Sequence, residues 1–233
     1  MKTAAIIPAF NEAESLPKVI TELKTLFPEH SIVVINDGSV DDTEKLAITN
    51  GAICLSLPFN LGIGGALRLG FKYCLENDFD CAYQFDADGQ HDASQVLKLL
   101  SGLENADMVV GSRFAENNHY EVGNGRRAAM GLLRWLIKLL SGQKFTDTSS
   151  GFRAFKRPII ELFANEYPVE YMDSVEAIVI AVRNGFKVKE VPTVMNERLT
   201  GTPSNRNIRL VYYFLRLLIV LLAGTKKKKE LNK

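Results

Sequence analysis

The chain has 233 residues, 46% of them hydrophobic, which is enough for one substantial core and excludes a disordered or low-complexity protein. Its cysteines, Cys54, Cys74 and Cys81, are odd in number and lack CxxC spacing, so we expect free buried thiols and no disulfide framework or zinc site. The net charge of +1 combines −6 for residues 1–204 with +7 for residues 205–233, where eight basic residues accompany one acidic residue.

Short apolar strands alternate with amphipathic helices through the first half of the chain. The pattern predicts strands over 3–7, 31–36, 52–56, 81–85 and 107–111, and helices over 13–27, 41–50, 63–76 and 93–104. This alternation indicates a parallel sheet with helices on both faces, joined by right-handed crossovers. Ligands of such sheets bind beyond the carboxyl ends of the strands. Polar clusters directly follow strands at 8–12, 36–42 and 86–91.

The second half is less regular. It predicts helices over 126–140 and 172–184, a loop over 142–151, strands over 187–191 and 193–197 interrupted by Pro192, and a last helix over 208–223. We expect one compact domain over residues 1–204. Within it, about residues 1–115 would bind a donor and residues 116–204 an acceptor, followed by a helix and basic tail at 205–233.

Two carboxylates, Asp86 and Asp88, follow the fourth predicted strand in the sequence Asp-Ala-Asp-Gly-Gln-His. In a turning segment, residues two apart can aim at one point, and oxygen ligands suit Mg²⁺ or Mn²⁺. Such an ion would neutralise charge on a leaving nucleotide diphosphate. The alternative is an ordinary Asp–Gly turn, which is common at strand ends.

The other strand-end clusters allow both a binding and a structural interpretation. Asp37 could accept hydrogen bonds from a base or ribose, or it could simply precede a turn in which Ser39 or Asp41 caps a helix. Phe10 could form a wall for the base, while Asn11 or Glu12 caps the following helix.

A glycine-containing segment, 60–66, opens the next helix with Asn60 at its start. Glycines leave backbone amides accessible and let a ligand approach closely. Arg68, one turn into the helix, would reach a phosphate or would be an ordinary surface arginine.

Taken together, segments 6–12, 36–39 with 41–43, 60–62, 86–91, 111–113 and 150–153 resemble the family-two glycosyltransferases with the GT-A fold. The resemblance covers about residues 3–200. The Asp-Ala-Asp-Gly-Gln-His sequence is similar to that of the polyprenol-phosphate sugar synthases, the dolichol-phosphate mannosyltransferase group. The resemblance implies an α/β fold with a Rossmann-like, mostly parallel sheet flanked by helices, to which the sequence adds a C-terminal amphipathic helix.

This resemblance also implies inverting transfer of a hexose from a UDP- or GDP-sugar to a polyprenyl phosphate. It implies that Asp86, Asp88 and Gln90 surround Mg²⁺ or Mn²⁺, and that Asp37 and Glu12 contact the nucleoside. With the residues singled out above, the expected nucleotide-sugar-binding set is Pro8, Phe10, Glu12, Asp37, Asn60, Arg68 and Asp86. Asp88 is expected to be essential for catalysis, and Arg113 and Arg126 would face the acceptor phosphate.

Two departures from the group lie at the expected acceptor site. Met130 stands four residues after Arg126, where the group usually has serine, and segment 198–205 lacks the usual Arg-x-x-Gly-x-Ser-Lys. A transferase of the same fold that adds sugar to a polysaccharide or glycolipid hydroxyl therefore remains an alternative. A non-catalytic nucleotide-sugar binding module is disfavoured by the intact Asp86, Asp88 and Gln90. A sugar nucleotidyltransferase is disfavoured because no Gly-rich loop with arginine follows the first strand.

The nature of the acceptor decides whether a general base is needed. A hydroxyl acceptor needs a carboxylate base, and Asp173 and Glu176 share one face of a predicted helix. A phosphate acceptor is already anionic and needs arginines instead. The structural alternative is a solvated helix start with Asp173 as N-cap. Asp147 would order the acceptor loop or form an Asx turn.

The last predicted helix suits a membrane surface. Segment 210–223 is apolar except for Arg216, and its length of about 21 Å is short of a ~30 Å hydrocarbon core. We expect it to lie in the interface, with Lys226–Lys229 against anionic head groups. A core helix with a solvated tail is the alternative.

The N-terminus does not resemble a signal peptide. We therefore expect the protein to act at the cytoplasmic face of the cell membrane, as a peripheral or monotopic protein, without a nucleic-acid partner. Oligomeric state stays open.

Overall fold

The computed structural model of the chain describes residues 1–114, 131, 138, 142–168 and 173–195. Seven strands form one sheet: β1 (Thr3–Ala9), β2 (Ser31–Asn36), β3 (Ile53–Ser56), β4 (Cys81–Gln84), β5 (Met108–Ser112), β6 (Arg153–Lys156) and β7 (Val188–Pro192). Their spatial order is β3-β2-β1-β4-β6-β5-β7. All neighbouring strands pair in parallel except β6, which is antiparallel to both β4 and β5.

Helices cover both faces of the sheet. Among the described residues the α-helices are α1 (Leu16–Leu26), α2 (Thr43–Thr49), α3 (Ile63–Glu76), α4 (Val96–Gly102), α5 (Arg157–Glu166) and α6 (Asp173–Arg183). Because strand side chains alternate between faces, β1 sends Ala4 and Ile6 to one core and Ala5 and Ile7 to the other. The first core packs against α3, α5 and α6, and the second against α1 and α4. The expected mostly parallel sheet flanked by helices is confirmed.

The predicted elements of the first half are all present. Two of them, β2 and α3, begin and end at the predicted residues. The predicted helix over 93–104 is shorter: α4 is flanked by short 3₁₀ turns at Ala93–Gln95 and Leu103–Asn105. The cysteines are free, as expected, with Cys74 and Cys81 buried and Cys54 half-buried.

The second half departs from the prediction at three places. β6 and α5 were not predicted. β6 has only four residues and no clear alternation, whereas α5 does carry an amphipathic pattern, with Ile159, Ile160, Phe163 and Ala164 buried. Pro192 does not interrupt a strand; it is the last residue of β7, opposite Ser112. The predicted strand over 193–197 is wrong for its described part, where Met195 makes an isolated antiparallel bridge to His91.

Several predicted features lie outside the described residues. These are most of the helix over 126–140, the segment 198–205, the C-terminal amphipathic helix and the basic tail. The division into residues 1–115, 116–204 and 205–233 also stays a prediction.

Candidate active site

The loops after β1 and β2 are tied together at the carboxyl edge of the sheet. The Asn11 N–H donates to Ser39 Oγ at 2.9 Å, and the Val40 N–H donates to Asn11 Oδ1 at 2.9 Å. The Glu12 N–H donates to Thr43 Oγ1 at 2.9 Å. Asn11 has a positive φ of 55°, which asparagine tolerates better than most residues. The two strand-end clusters therefore form one surface rather than two separate turns.

Asp37 holds the loop between β3 and α3 against the end of β2. Its Oδ1 accepts the Leu61 N–H at 2.7 Å, and its Oδ2 accepts the Gly62 N–H at 2.8 Å. Burial raises the pKa of Asp37 above its ordinary value, and the two backbone donors act in the opposite direction. Gly38 is needed here, because its φ is +70° and an added Cβ would lie 2.6 Å from the Phe59 carbonyl carbon.

Asp86 and Asp88 lie just beyond the end of β4. The Asp86 side chain is 31% exposed, and Asp88 is almost fully buried. Asp88 Oδ1 accepts the Gln90 N–H at 3.0 Å in a local turn, in which Gly89 has a φ of +75°. Each carboxylate oxygen has two lone pairs, so this local bond occupies only part of the acceptor capacity of Asp88.

Three neighbours fix the orientation of Asp86. Gln84 Nε2 donates to Asp86 Oδ1 at 3.1 Å. A methyl group added at Gly151 would lie 3.1 Å from Asp86 Oδ2, so the backbone at Gly151 packs directly on the carboxylate. His91 Nδ1 accepts the Asp86 N–H at 2.9 Å, which leaves the proton of the neutral ring on Nε2, 3.4 Å from Asp86 Oδ2.

His91 is itself held by aromatic packing. Its ring stacks on Phe152 with centroids 4.6 Å apart and meets the edge of Phe85 at 5.3 Å. Complete burial lowers the pKa of His91, while the carboxylates of Asp86 and Asp88 act to raise it. The histidine therefore connects Asp86 to the core and helps to orient its carboxylate.

The donor set of this site fits Mg²⁺ or Mn²⁺. It consists of carboxylate oxygens, and Gln90, which is half-buried, is joined to Asp88 through its backbone N–H. No group of three or more acidic, histidine or cysteine ligands occurs among the described residues. A pair of carboxylates is sufficient for an ion that takes its remaining ligands from water and a substrate diphosphate. Asp86 and Asp88 are the residues that would hold the ion.

Arg113 is anchored by a buried carboxylate. Its Nε donates to Asp147 Oδ2 at 2.6 Å and its Nη2 to Asp147 Oδ1 at 2.9 Å, and Nη2 also donates to Ser149 Oγ at 2.9 Å. Asp147 is fully buried. Burial alone would raise its pKa, but the hydrogen bonds and charge of Arg113 hold that pKa below its ordinary value.

Glu190 on β7 holds the same loop from its other side. Its Oε1 accepts the Asp147 N–H at 2.7 Å, and its Oε2 accepts both the Thr146 N–H at 2.7 Å and the Thr146 hydroxyl at 3.0 Å. Asp147 also accepts the Ser149 N–H at 3.3 Å, so it makes the anticipated Asx-type contact and orders the loop as well. Asp147 therefore orders its loop and forms the Asx turn, whereas the binding of an acceptor by this loop stays a prediction.

The remaining residues expected in the site lie in different places: some at the same edge of the sheet, others on helices, and one outside the described residues. Phe10 and Asn60 are exposed, and Pro8 and Glu12 are half-buried at the same edge of the sheet. Arg68 Nη2 donates to the Asn165 carbonyl of α5 at 2.6 Å, so its contacts give no support to a phosphate role. α6 begins at Asp173, and Glu176 in its first turn is half-buried. Arg126 lies outside the described residues, and the binding and catalytic roles of this whole set stay predictions.

The family model for glycosyl transferase family 2 matches residues 4–163, which include all of the strand-end clusters described above. The chain belongs to glycosyl transferase family 2. An undecaprenyl-phosphate mannosyltransferase from Micrococcus luteus is 32% identical over 217 residues, covering 86% of this chain and 86% of that protein. A UDP-N-acetylglucosamine–dolichyl-phosphate N-acetylglucosaminyltransferase from Methanococcus voltae is 29% identical over 243 residues, covering 92% of this chain and 94% of that protein.

A solved structure supports the fold of this family 2 chain. Glucosyl-3-phosphoglycerate synthase from Mycobacterium tuberculosis, in complex with Mn²⁺, UDP and phosphoglyceric acid, superposes with a TM-score of 0.71 at 22% identity. The match covers 96% of this chain and 78% of that one. The expected GT-A architecture and the expected resemblance to the polyprenol-phosphate sugar transferases are confirmed.

Sequence reasoning missed the residues that support the site of this family 2 chain. Gly151 and Arg153 lie in segment 150–153, which carries part of the resemblance, but the sequence indicates no role for either residue. For Gln84 the sequence offers one indication of a role, since it is a polar residue at the end of an otherwise apolar strand. Nothing in the sequence around Glu190 indicated that it holds residues 146 and 147.

Proposed function

We propose that this family 2 glycosyltransferase transfers a hexose from a UDP- or GDP-sugar to a polyprenyl phosphate at the cytoplasmic face of the cell membrane. The observation that carries the proposal is the placement of Asp86 and Asp88 at the carboxyl edge of the sheet, where nucleotide ligands of such folds bind. The acceptor class follows from the names of the two relatives, both of which act on polyprenyl-type phosphates.

The nucleotide sugar would bind across the ends of β1, β2 and β4. Asp37 and Glu12 are proposed to contact the nucleoside, with Phe10, which is 45% exposed, as an apolar wall for the base. Pro8 and Asn60 complete the proposed donor set, and Arg68 would join it only by releasing its hydrogen bond to the Asn165 carbonyl. Mg²⁺ or Mn²⁺ on Asp86 and Asp88, with Gln90 nearby, would supply positive charge against the leaving diphosphate. Asp86 is the more accessible of the two carboxylates and would lie nearer the substrate.

The transfer step needs an acceptor oxygen in line with the bond to the leaving group. A phosphate oxygen attacks the anomeric carbon with its own electron pair. The bond from that carbon to the diphosphate oxygen breaks, and the nucleoside diphosphate leaves with that bonding pair. Because the attack comes from the side opposite the leaving group, the configuration of the anomeric carbon is inverted. The attacking oxygen carries no proton at neutral pH, so no general base is required.

Positioning the acceptor phosphate would fall to arginine. Arg113 is proposed to contact it, together with Arg126. The ion pair with Asp147 fixes the Arg113 guanidinium before the substrate arrives, which reduces the entropy lost on binding. If the acceptor were instead a sugar hydroxyl, Asp173 or Glu176 would have to accept its proton.

Contact with a membrane is proposed for the tail at 205–233. In the part of the chain that the structure describes, no helix has the length and apolarity required to cross a bilayer. The +7 charge of the tail would attract it to anionic lipid head groups.

The decisive experiment incubates the protein with radiolabelled UDP- and GDP-sugars, polyprenyl phosphate and Mn²⁺, and follows label into the organic phase. The Asp88→Ala variant and a reaction with excess chelator serve as controls. We expect label in the lipid fraction with at least one donor and none in the controls. In a parallel reaction with an oligosaccharide in place of polyprenyl phosphate, label that enters only the saccharide would establish the hydroxyl-acceptor alternative. Tight donor binding without any transfer would establish a binding module.

A further inference from the structure

Arg153 is among the largest fully buried side chains of the protein, with 0% exposure. It is the first residue of β6, the antiparallel strand between β4 and β5. Its Nε donates to the Ser150 carbonyl at 2.7 Å. Within the described chain, neither terminal guanidinium nitrogen has a hydrogen-bond partner.

Such an arginine is costly to keep. Burying a charged group without full pairing costs several kcal/mol, and a well-packed apolar residue of similar size is often as stable or more so. An apolar side chain would serve a purely structural role at this position. We therefore look for the role of the Arg153 charge among the groups at the edge of the sheet where β6 begins.

One connection from Arg153 leads to Asp86 through Gln84. Gln84 and Arg153 are direct partners in the β4–β6 register, so their side chains lie on the same face of the sheet. Gln84 Nε2 donates to Asp86 Oδ1 at 3.1 Å. Its Oε1 is buried and, like the two terminal nitrogens of Arg153 on the same face, has no hydrogen-bond partner within the described chain. A buried acceptor and buried donors on neighbouring strands suit one bridging water.

A second connection leads to Asp86 through the backbone. By holding the Ser150 carbonyl, Arg153 sets the position of the next residue, Gly151. That glycine packs on both groups at once: an added Cβ would lie 2.8 Å from Gln84 Nε2, 3.1 Å from Asp86 Oδ2 and 3.3 Å from Asp86 Oδ1. The observed hydrogen bond of Arg153 to Ser150 and its place beside Gln84 in the sheet thus both lead toward the Asp86 carboxylate.

We propose that Arg153 is a positioning residue for the metal-binding carboxylate, and that it orients Asp86 through Gln84 and through the Ser150–Gly151 backbone. Its charge also offsets the negative charge gathered at the end of β4. This inference rests on the proposed metal role of Asp86. Groups that orient a metal-binding carboxylate typically change metal affinity by about 10-fold to 100-fold when they are removed.

The test measures Mn²⁺ binding directly, by the loss of the electron paramagnetic resonance signal of free Mn²⁺, with UDP or GDP present. The variants are Arg153→Met, which keeps the volume and removes the charge, and Gln84→Met, which removes only the amide. Arg157→Met is the matched control, because Arg157 is four residues away and pairs with the exposed Asp78 at 2.8 Å. Thermal denaturation of each variant establishes that it is folded.

We expect Arg153→Met to raise the Mn²⁺ dissociation constant about 10-fold or more. Arg153→Lys should recover part of the affinity, because lysine keeps the charge but cannot serve both connections. The effects of Arg153→Met and Gln84→Met should not add, since both act on one carboxylate. In transfer assays, the Mn²⁺ concentration for half-maximal rate should rise more than the rate at saturating Mn²⁺ falls.

Unchanged Mn²⁺ affinity in folded Arg153→Met would overturn the proposal. If that variant does not fold, unchanged affinity in Gln84→Met and Arg153→Lys overturns it equally. Failure of the wild-type protein to bind Mn²⁺ would instead overturn the metal site itself. The two kinds of failure are therefore distinguishable.

Discussion

Arg113 and Asp147 form a two-point ion pair between residues 34 positions apart, with Nε–Oδ2 at 2.6 Å and Nη2–Oδ1 at 2.9 Å. Asp147 is fully buried, whereas the Arg113 side chain is 22% exposed. The carboxylate is thus committed to holding the arginine, while the arginine still reaches the surface. This asymmetry is expected where an arginine must be fixed in place to contact a substrate.

Replacing Asp147 by Asn should impair both stability and activity. The change removes the buried carboxylate that pairs with Arg113, and we expect a loss on the order of 2–3 kcal/mol in the free energy of unfolding. Chemical denaturation measures this loss, and transfer assays with varied acceptor should show a raised KM for the acceptor. A variant as stable and active as wild type would show that the ion pair does not order the acceptor side.

The same pair predicts a dependence of stability on pH. The pKa of Asp147 is lower in the folded chain than in the unfolded one, so its contribution is complete above about pH 4 and is lost as pH falls through the folded value. The difference in Tm between wild type and Asp147→Asn should therefore be largest near neutral pH and shrink in acid. A difference that stays constant as the pH is lowered would contradict this assignment.

Removing either carboxylate of the proposed metal site should abolish transfer without unfolding the protein. Asp86→Ala and Asp88→Ala would each leave the leaving diphosphate without a fully held cation, and we expect the rate to fall on the order of 100-fold or more. Glu104→Gln, an exposed change away from the edge that carries the site, is the control. Full activity of both variants in excess chelator would eliminate the metal mechanism.

Gly151→Ala should act on Asp86 without changing any polar group. The new methyl would lie 2.8 Å from Gln84 Nε2 and 3.1 Å from Asp86 Oδ2, so one of these side chains must move. We expect a reduced transfer rate and a higher Mn²⁺ concentration for half-maximal rate, with a small change in Tm. Gly131→Ala is the comparison, because an added Cβ there meets no atom within 4 Å. Equal activity of the two variants would show that the position of Asp86 tolerates this displacement.

Asp37→Asn should loosen the loop that opens α3. The amide nitrogen of asparagine would face the N–H of Leu61 or Gly62, both of which now donate to the carboxylate. We expect a loss of about 1–3 kcal/mol in the free energy of unfolding and a raised KM for the nucleotide sugar. Asp42→Asn, at an exposed position, is the control. An unaltered KM for the donor would separate Asp37 from nucleotide binding.

Deleting residues 208–233 should release the protein from membranes. The deletion removes the apolar segment at 210–223 and the lysines at 226–229. Sedimentation with vesicles that contain anionic lipid measures the effect, and raised salt should weaken binding of the full chain. If the truncated chain still sediments with vesicles, the apolar segment belongs to the core and another surface contacts the lipid.

The alternation of strands and helices and the position of the strand-end clusters were predictable, because hydrophobic periodicity and turn chemistry are local properties of the chain. Asp37 and Asp86 were placed at the ligand-binding edge by this reasoning. The hydrogen-bond partners of Asp37 could not be predicted in this way, since its contacts with Leu61 and Gly62 depend on how the next loop folds back.

By itself, then, the sequence determined the fold class and located the carboxylate pair at the end of β4. Only the tertiary structure decided what surrounds that pair. The insertion of β6 between β4 and β5 brings Gly151 and Arg153 next to Gln84 and Asp86. The loop that holds Arg113 depends likewise on Glu190, which is 43 positions beyond Asp147. Strand order and loop closure bring together residues that are far apart in the chain, and residue spacing carries no information about such pairs.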